Sequence, residues 1–536
     1  MFFQILKKEW LKLKFYFTIL TLIIISALFY FGFNVNFSFL TIEPESMMWY
    51  KFAHLNDKPY FDLSYLFIII GIVVAFAQFL PERIQNRIKI MVHLPLDMKE
   101  SLSYHLFIGS LIVGVLSTIL SISLLFILLE YYPELIIQIA FKDTIAYSFT
   151  AIIVYIGFVA VIIEKNLSLS FFKLLFTLFF ISSFLKSEYE IYDTFWLIIF
   201  PLFFVLALDS FYSIKQQRIS SVFYKAILFI VFIGMLFISY QQYKEKYVHE
   251  FNKYYIFYSN LLNDFVYQKN FGEHQFEYGI KNKGNFDRIT YESHLPFVYW
   301  KNLDIQNKLP IKINNTVYDK QTIKNSRLGF SYNPKLLQPL EAKLYPLLNP
   351  KSDKGTISFP EEMFTINSKN AFVYDYDNGI SKELTTQLNK QLENLNFHYP
   401  ALNIWGKSTN MKPFDKGYLV LDSKQNLFNL KRYDNQIEVS KVQYPQDIQL
   451  AFIKISENKQ KILSGYAIDT QSNFYLLDWN FKFIKLDLSN FHYKKMKLKL
   501  ISNPINYLIR YDDGENYYAI VFNKNFQPLQ KIALKN

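Results

Sequence analysis

FYFTILTLIIISALFYFGF, residues Phe15–Phe33, runs without a charged side chain. About 20 apolar residues in a helix cross the hydrocarbon core of a bilayer, so this stretch reads as a membrane span. Leu63–Leu80, Leu106–Leu129 and Thr144–Ile163 are uncharged in the same way. Three weaker candidates follow. Asn166–Leu185 contains Lys173, expected to snorkel to the nearer interface. Thr194–Leu208 is short and holds Pro201, and Ala226–Tyr240 is short unless it extends back past Lys225. About seven spans therefore occupy residues 1–240, and the fold class is an α-helical polytopic membrane domain. The rest reads as a soluble α+β domain that ends in a β-rich, propeller-like or meander region.

Composition agrees with that division. Of 536 residues 51% are apolar, Phe numbers 55 and Tyr 40, and Gly only 16. Few glycines argue against glycine-rich nucleotide loops and flexible linkers. The absence of cysteine excludes disulfides, thiolate metal sites and cysteine nucleophiles. The net charge of +12 is uneven. Residues 1–240 hold 17 basic and 16 acidic residues, and residues 241–536 hold 40 and 29. A basic exterior of that kind suits either nucleic acid or anionic lipid. No nucleic-acid motif accompanies it, and membrane lipid is the expected partner.

Lys/Arg asymmetry orients the spans. With seven crossings, one side collects 13 basic residues, from Lys7, Lys8, Lys12 and Lys14 through Arg83, Arg87, Lys89 and Lys99 to Lys225. The other side collects four, Lys51, Lys58, Lys142 and Lys186. The N-terminus is expected in the cytoplasm, and an odd span count places residues 241–536 outside it. The expected site is the bacterial cytoplasmic (inner) membrane. Phe15–Phe33 is too long, and lacks the small-residue cleavage site, for a removed signal peptide.

Two cytoplasmic pieces stand out. Met1–Lys14 mixes Phe2, Phe3, Ile5, Leu6, Trp10, Leu11 and Leu13 with lysines, the composition of an interfacial helix. The loop PERIQNRIKIMVHLPLDMKESLS, Pro81–Ser103, places Ile84, Ile88 and Met91 at i, i+4, i+7 among Arg83, Arg87 and Lys89. Its helix should stop at Leu94-Pro95, because proline cannot continue the hydrogen-bond ladder. It reads as a short amphipathic helix lying along the membrane, free to dock into a partner's groove or to serve as a plain connector.

These features resemble the permease subunits of type-2-class bacterial ABC exporters. In those proteins Glu-Arg, an apolar helix and then Leu-Pro follow the second span. Here Glu82-Arg83, Ile84–Val92, Leu94-Pro95 and Ser101 hold those places. The resemblance implies that Glu82, Arg83, Ile84, Arg87, Ile88, Met91 and Pro95 form a coupling helix that contacts a separate ABC ATPase subunit. It implies ATP bound by that partner and no cofactor on this chain. It also implies a homodimer or a second permease, and transport rather than enzymatic catalysis. Such permeases usually have six spans with both ends cytoplasmic, so a seventh span and an exported domain are departures. The chain, including His294–Leu303 and Met411–Arg432, is also similar to a bacterial permease-like family with such a C-terminal extracytoplasmic domain. That second resemblance brings no activity with it. The alternative reading is a non-transporting anchor presenting an extracytoplasmic recognition or scaffold domain. A membrane-embedded enzyme is a third.

Beyond the spans, Phe251, Tyr255, Tyr258, Leu262 and Phe265 form a helical stripe, so 241–269 is expected as a helical stalk. Residues 270–410 read as a mixed α+β subdomain. Within it Ser381–Leu395 is a helix with Leu384, Leu388, Leu392 and Leu395 on one face, and Pro334–Tyr345 carries a helical pattern broken by Pro339. Residues 411–536 read as a β-rich repeat. Hairpin turns fall at Asp422–Asn426, Asp469–Asn473 and Asp512–Asn516. Tyr418, Tyr466 and Tyr507 open equivalent strands, at the spacing of propeller blades but too few to close one.

Ala401–Ser408 imitates a phosphate-binding loop, but Ile404 and Trp405 fill positions that need bare backbone. Asp375–Gly379 hints at calcium yet lacks the glycine and glutamate that complete such a loop. The histidines are scattered, and no catalytic or metal motif appears.

Overall fold

The computed structural model describes residues 2–89, 97–186, 196–215, 217–219, 222–247, 253–351 and 356–536. The chain divides into two compact units, Met1–His249 and Glu250–Asn536.

The first unit is helical: α1 (Phe2–Thr41), α2 (Ser46–Leu55), α3 (Ser64–Ile84), α4 (Met98–Leu129), α5 (Glu134–Ile163), α6 (Leu167–Lys186), α7 (Trp196–Tyr212) and α8 (Val222–Tyr247). Among the described residues six helices are long and apolar enough to cross a membrane, all but α2 and α7. With 17 residues and Pro201 inside, α7 covers about 26 Å at ~1.5 Å per residue, against a hydrocarbon core of about 30 Å.

Helix α5 is the hub. It packs on α3, α4, α6 and α7. Close approach needs small residues: a Cβ on Gly71 of α3 would lie 2.4 Å from the Ala151 carbonyl oxygen of α5. In contrast, α1 and α8 leave most of their apolar surface uncovered by the chain, including Phe29, Phe33, Phe229 and Phe237. On a membrane helix that surface belongs to lipid or to another chain.

The second unit consists mainly of successive antiparallel meanders. The first is β1 (Tyr254–Ser259), β2 (Asp264–Gly272), β3 (Gln275–Ile280) and β4 (Gly284–Phe286). Short helices α9 (Arg288–Ser293), α10 (Trp300–Ile305) and α11 (Lys320–Ser326) follow, with the hairpin β5 (Ile311–Ile313) and β6 (Thr316–Tyr318) between the last two. Strand β7 (Gly329–Tyr332) then joins a later sheet. The second meander is β8 (Tyr345–Pro346), β9 (Met363–Ile366), β10 (Ala371–Asp375) and β11 (Gly379–Ile380), and α12 (Lys382–Asn394) succeeds it. The third is β12 (Asn403–Gly406), β13 (Tyr418–Leu421), β14 (Leu427–Tyr433) and β15 (Gln436–Val442). The fourth is β16 (Leu450–Ile455), β17 (Leu463–Asp469), β18 (Phe474–Asp478) and β19 (Phe483–Leu486). The fifth is β20 (Lys497–Ser502), β21 (Asn506–Asp512), β22 (Asn516–Asn523) and β23 (Pro528–Lys535), with β7 on its β20 edge.

Cores form between neighbours. Val373, Leu388 and Phe428 join the second and third sheets. Trp405, Tyr466 and Ile509 join the third, fourth and fifth, and Ile256 and Phe265 meet Ala519 and Val521. The meanders do not close into a propeller.

Several expectations change. Within the expected stalk 241–269 the described residues are helical up to Tyr247, but Tyr254–Ser259 and Asp264–Gly272 are paired strands. Aromatic residues favour strands, and the segment YYIFYS outweighs the helical spacing of its neighbours. The boundary at residue 411 falls inside the third sheet, whose first strand begins at Asn403. Pro334–Tyr345 is helical only as a 3-10 turn at Pro334–Leu337, and Tyr345 begins β8. The loop-like Ala401–Ser408 contains β12, paired with β13. Asp375–Gly379 is a hairpin turn, with Asp375 Oδ1 accepting from the Asn378 backbone N–H at 2.8 Å.

Candidate functional site: buried ion pairs at the helix ends

Helix periodicity brings Lys8, Glu9 and Lys12 of α1 beside Gln78 and Glu82, one turn apart on α3. Glu9, Gln78, Glu82 and His105 are all buried. Lys12 Nζ lies 2.8 Å from Glu9 Oε2 and 3.0 Å from Glu82 Oε1, and Lys8 Nζ lies 3.1 Å from Glu82 Oε1. His105 Nδ1, on α4, stands 3.1 Å from Glu9 Oε1. Gln78 Nε2 donates to the His105 carbonyl oxygen at 3.0 Å, and Tyr155 of α5 donates to Gln78 Oε1 at 2.6 Å. A Cβ on Gly109 would come within 2.0 Å of the Tyr155 hydroxyl, so glycine there opens the room for this network.

A second cluster joins the C-terminal ends of α5 and α7 to the N-terminal part of α6. Lys173 does not snorkel. It is buried, with Nζ 2.9 Å from Glu164 Oε2, 3.0 Å from Asp209 Oδ2 and 2.7 Å from the Ser210 hydroxyl. A charge inside an apolar helix is tolerated where such partners are in reach. Arg218 grips Glu164 with both terminal nitrogens, at 2.6 and 2.7 Å, and reaches Asp209 at 3.0 Å. Glu164 lies one residue beyond α5. Burial alone would raise its carboxyl, but the Arg218 and Lys173 hydrogen bonds outweigh that and hold it at about 2. At the opposite ends of the helices, Lys58 Nζ and the Tyr60 hydroxyl both contact Asp143 Oδ2, at 2.8 and 2.7 Å.

The residues of the expected coupling helix are divided between interior and surface. Glu82 belongs to the α1 cluster, and Arg83 donates to the Glu164 carbonyl oxygen at 3.3 Å. Helix α3 ends at Ile84, Gln85–Arg87 form a turn, and Asn86 is left-handed. Ile84 is 71% exposed and Ile88 2% exposed, so the two do not share one open face. Arg87 is exposed. Met91 and Pro95 lie outside the described residues. Lys8, Glu9, Lys12, His105, Glu164, Lys173, Asp209 and Arg218 were not anticipated as a site. Their signal is a charge inside or at the end of an apolar run, which pays only when partners exist.

Among the described residues no group of three or more His, Asp or Glu side chains could hold a metal ion. Residues 255–521, just under half of the chain, match the family model described as domain of unknown function (DUF4857). No curated protein and no solved structure matches the chain.

Proposed function

We propose that this chain is the transmembrane subunit of an ABC-type exporter in the bacterial inner membrane, driven by a separate ATPase subunit. The observation that carries the reading is the buried cluster of Lys12, Glu9, Glu82 and His105. It fastens the amphipathic start of α1 and the end of α3 to α4, so a push on the residues after Glu82 would move three spans together. Arg83 extends the link to the end of α5. Exposed Ile84 and Arg87 are then the surface that the ATPase would touch. In this reading α7 is a full crossing, the N-terminus is cytoplasmic and residues 250–536 are extracytoplasmic. The antiparallel contacts of Asp209 and Ser210 with Lys173 support that parity.

The rival reading is an anchor presenting an extracytoplasmic domain. The size of the second unit, more than half of the chain, favours it. Affinity purification of the tagged chain from its own membranes separates the two. An ATP-hydrolysing subunit should copurify. Ile84→Asp and Arg87→Glu should each cut its recovery at least fivefold while leaving the chain's yield unchanged. Alkaline phosphatase fused after Asn536 should be active. Copurification of no ATPase with the wild-type chain would leave the anchor, and an inactive fusion would overturn the parity.

A further inference from the structure

The second unit holds a cleft of about 800 Å³ between β1 and the α9–α10 region on one side and β7, β20 and β21 on the other. Its size falls in the ordinary range for small-ligand sites. Its charge is one-sided. Lys301, Lys324, Arg327, Lys499 and Arg510 line it, and among the described residues no carboxylate does. The strand register sets Lys499 directly opposite Arg510. Like charges facing each other across strands repel, whereas the next pair on the same face, Lys497 with Asp512, is complementary. Arg510 lies over the Phe257 ring at 4.9 Å, and Arg327 over the Trp300 ring at 6.0 Å. Those contacts hold the guanidiniums in place without neutralising them.

Two residues of the same cleft carry unmet donors in its wall. The Asn503 side-chain oxygen accepts from the backbone N–H groups of Ile505 and Asn506, both at 2.8 Å, which fixes the orientation of that amide. Asn503 Nδ2 then donates to Asn506 Oδ1 at 2.8 Å, leaving Asn506 Nδ2 to donate. Asn506 is 1% exposed, and its Nδ2 has no acceptor in the described structure. Trp300 is 6% exposed, and its indole N–H also has none. A buried donor left unpaired is costly, and both of these residues line the cleft.

We infer that the cleft binds a phosphate-bearing ligand. Arginine forks and lysines match phosphate oxygens, and Phe257 and Val298 accept an apolar remainder. The phosphate could belong to a soluble ester or to a lipid headgroup. The inference does not depend on the transport reading.

Calorimetric titration of the purified full chain in neutral detergent tests it, with inorganic phosphate, glycerol 3-phosphate, dihexanoyl phosphatidylglycerol and dihexanoyl phosphatidylcholine as probes. At least one of the two anionic esters should bind better than the phosphatidylcholine. Glycerol 3-phosphate matching the phosphatidylglycerol assigns a soluble ester, and binding of the phosphatidylglycerol alone assigns a headgroup. Lys499→Gln and Lys301→Ala should each weaken that binding at least fivefold, while Lys535→Gln leaves it unchanged. Lys499→Gln should also melt no lower than wild type without ligand, since it relieves repulsion. No binding of any probe at millimolar concentration, or equal binding by wild type and Lys499→Gln, overturns the inference.

Discussion

Glu457 is 4% exposed, and its Oε1 meets Lys412 Nζ at 2.8 Å and the Lys416 backbone N–H at 3.0 Å. Lys412 is buried too, with Asp415 Oδ1 at 2.7 Å. Burial outweighs the attraction to Lys412 and pushes the Glu457 carboxyl up to about 7. A carboxyl raised in the folded state binds its proton more tightly there than in the unfolded chain. Its contribution to stability is therefore complete below the ordinary carboxylate range and is lost as pH rises through 7. Denaturant melts of a fragment covering 250–536 should lose stability between pH 5 and 8, relative to Glu457→Gln. Parallel pH profiles for the two proteins would show that Glu457 is ionised in the fold throughout. None of this is readable from the chain, where Lys412 and Glu457 lie far apart and look like solvated charges. The same holds for Lys173, whose apolar flanks are evident but whose partners Glu164 and Asp209 are brought in by other helices.

One turn recurs through the meanders. Asp422, Asp469, Asp478 and Asn523 each accept, on Oδ1, the backbone N–H groups two and four residues on, at 2.7 to 2.9 Å. In each the residue three on, Gln425, Ser472, Phe481 or Phe526, is left-handed. An Asp or Asn side chain thus replaces the backbone partner that such a tight hairpin lacks. Asp469 does more, accepting Asn473 Nδ2 and the buried Tyr475 hydroxyl at 3.2 Å on its Oδ2. Asp469→Ala should cost about 2–4 kcal/mol, because it strands several donors. Asp478→Ala, in a half-buried turn without those extra contacts, should cost about 1 kcal/mol. Equal costs in chemical denaturation would mean that the side-chain donors at Asp469 are satisfied by water. This periodicity was readable in part. Tyr418, Tyr466 and Tyr507 fall on the second strand of the third, fourth and fifth sheets, and the turns at Asp422 and Asp469 sit where their residues place them. The earlier meanders were not readable, because β1 and β2 carry aromatic residues at spacings that fit a helix equally well. The segment after α3 is legible only in part, for a related reason. Its i, i+4, i+7 pattern is helical, but the turn at Gln85–Arg87 rotates Ile88 into the interior.

The division between a span-rich half and a β-rich half follows from hydropathy alone, and residue 240 lies close to the observed boundary after His249. Where the second unit starts is a matter of packing that hydropathy does not register. Strand β1 and most of β2 precede Phe271, and they are integral to the fold. Ile256 and Phe265 share a core with Leu508, Ala519 and Val521. Tyr254 stands edge-on to Tyr517 at 5.3 Å, and the Lys253 backbone N–H donates to the Tyr517 hydroxyl at 3.1 Å. A fragment beginning at Phe271 would uncover that face of β21 and β22 and leave β3 without its neighbour. Large apolar patches of this kind drive association, and an unpaired strand edge adds a second route to it. The fragment 250–536 should therefore be soluble, rich in β-structure and cooperative on heating. The fragment 271–536 should aggregate or melt at least 10 °C lower with a broadened transition, since loss of a few kcal/mol moves the midpoint of a domain this size by about 2–4 °C each. Circular dichroism and sedimentation of the two fragments make the comparison. Equal midpoints would mean that the first sheet is an appendage, and that the core between Ile256 and Val521 contributes nothing to the stability of the unit.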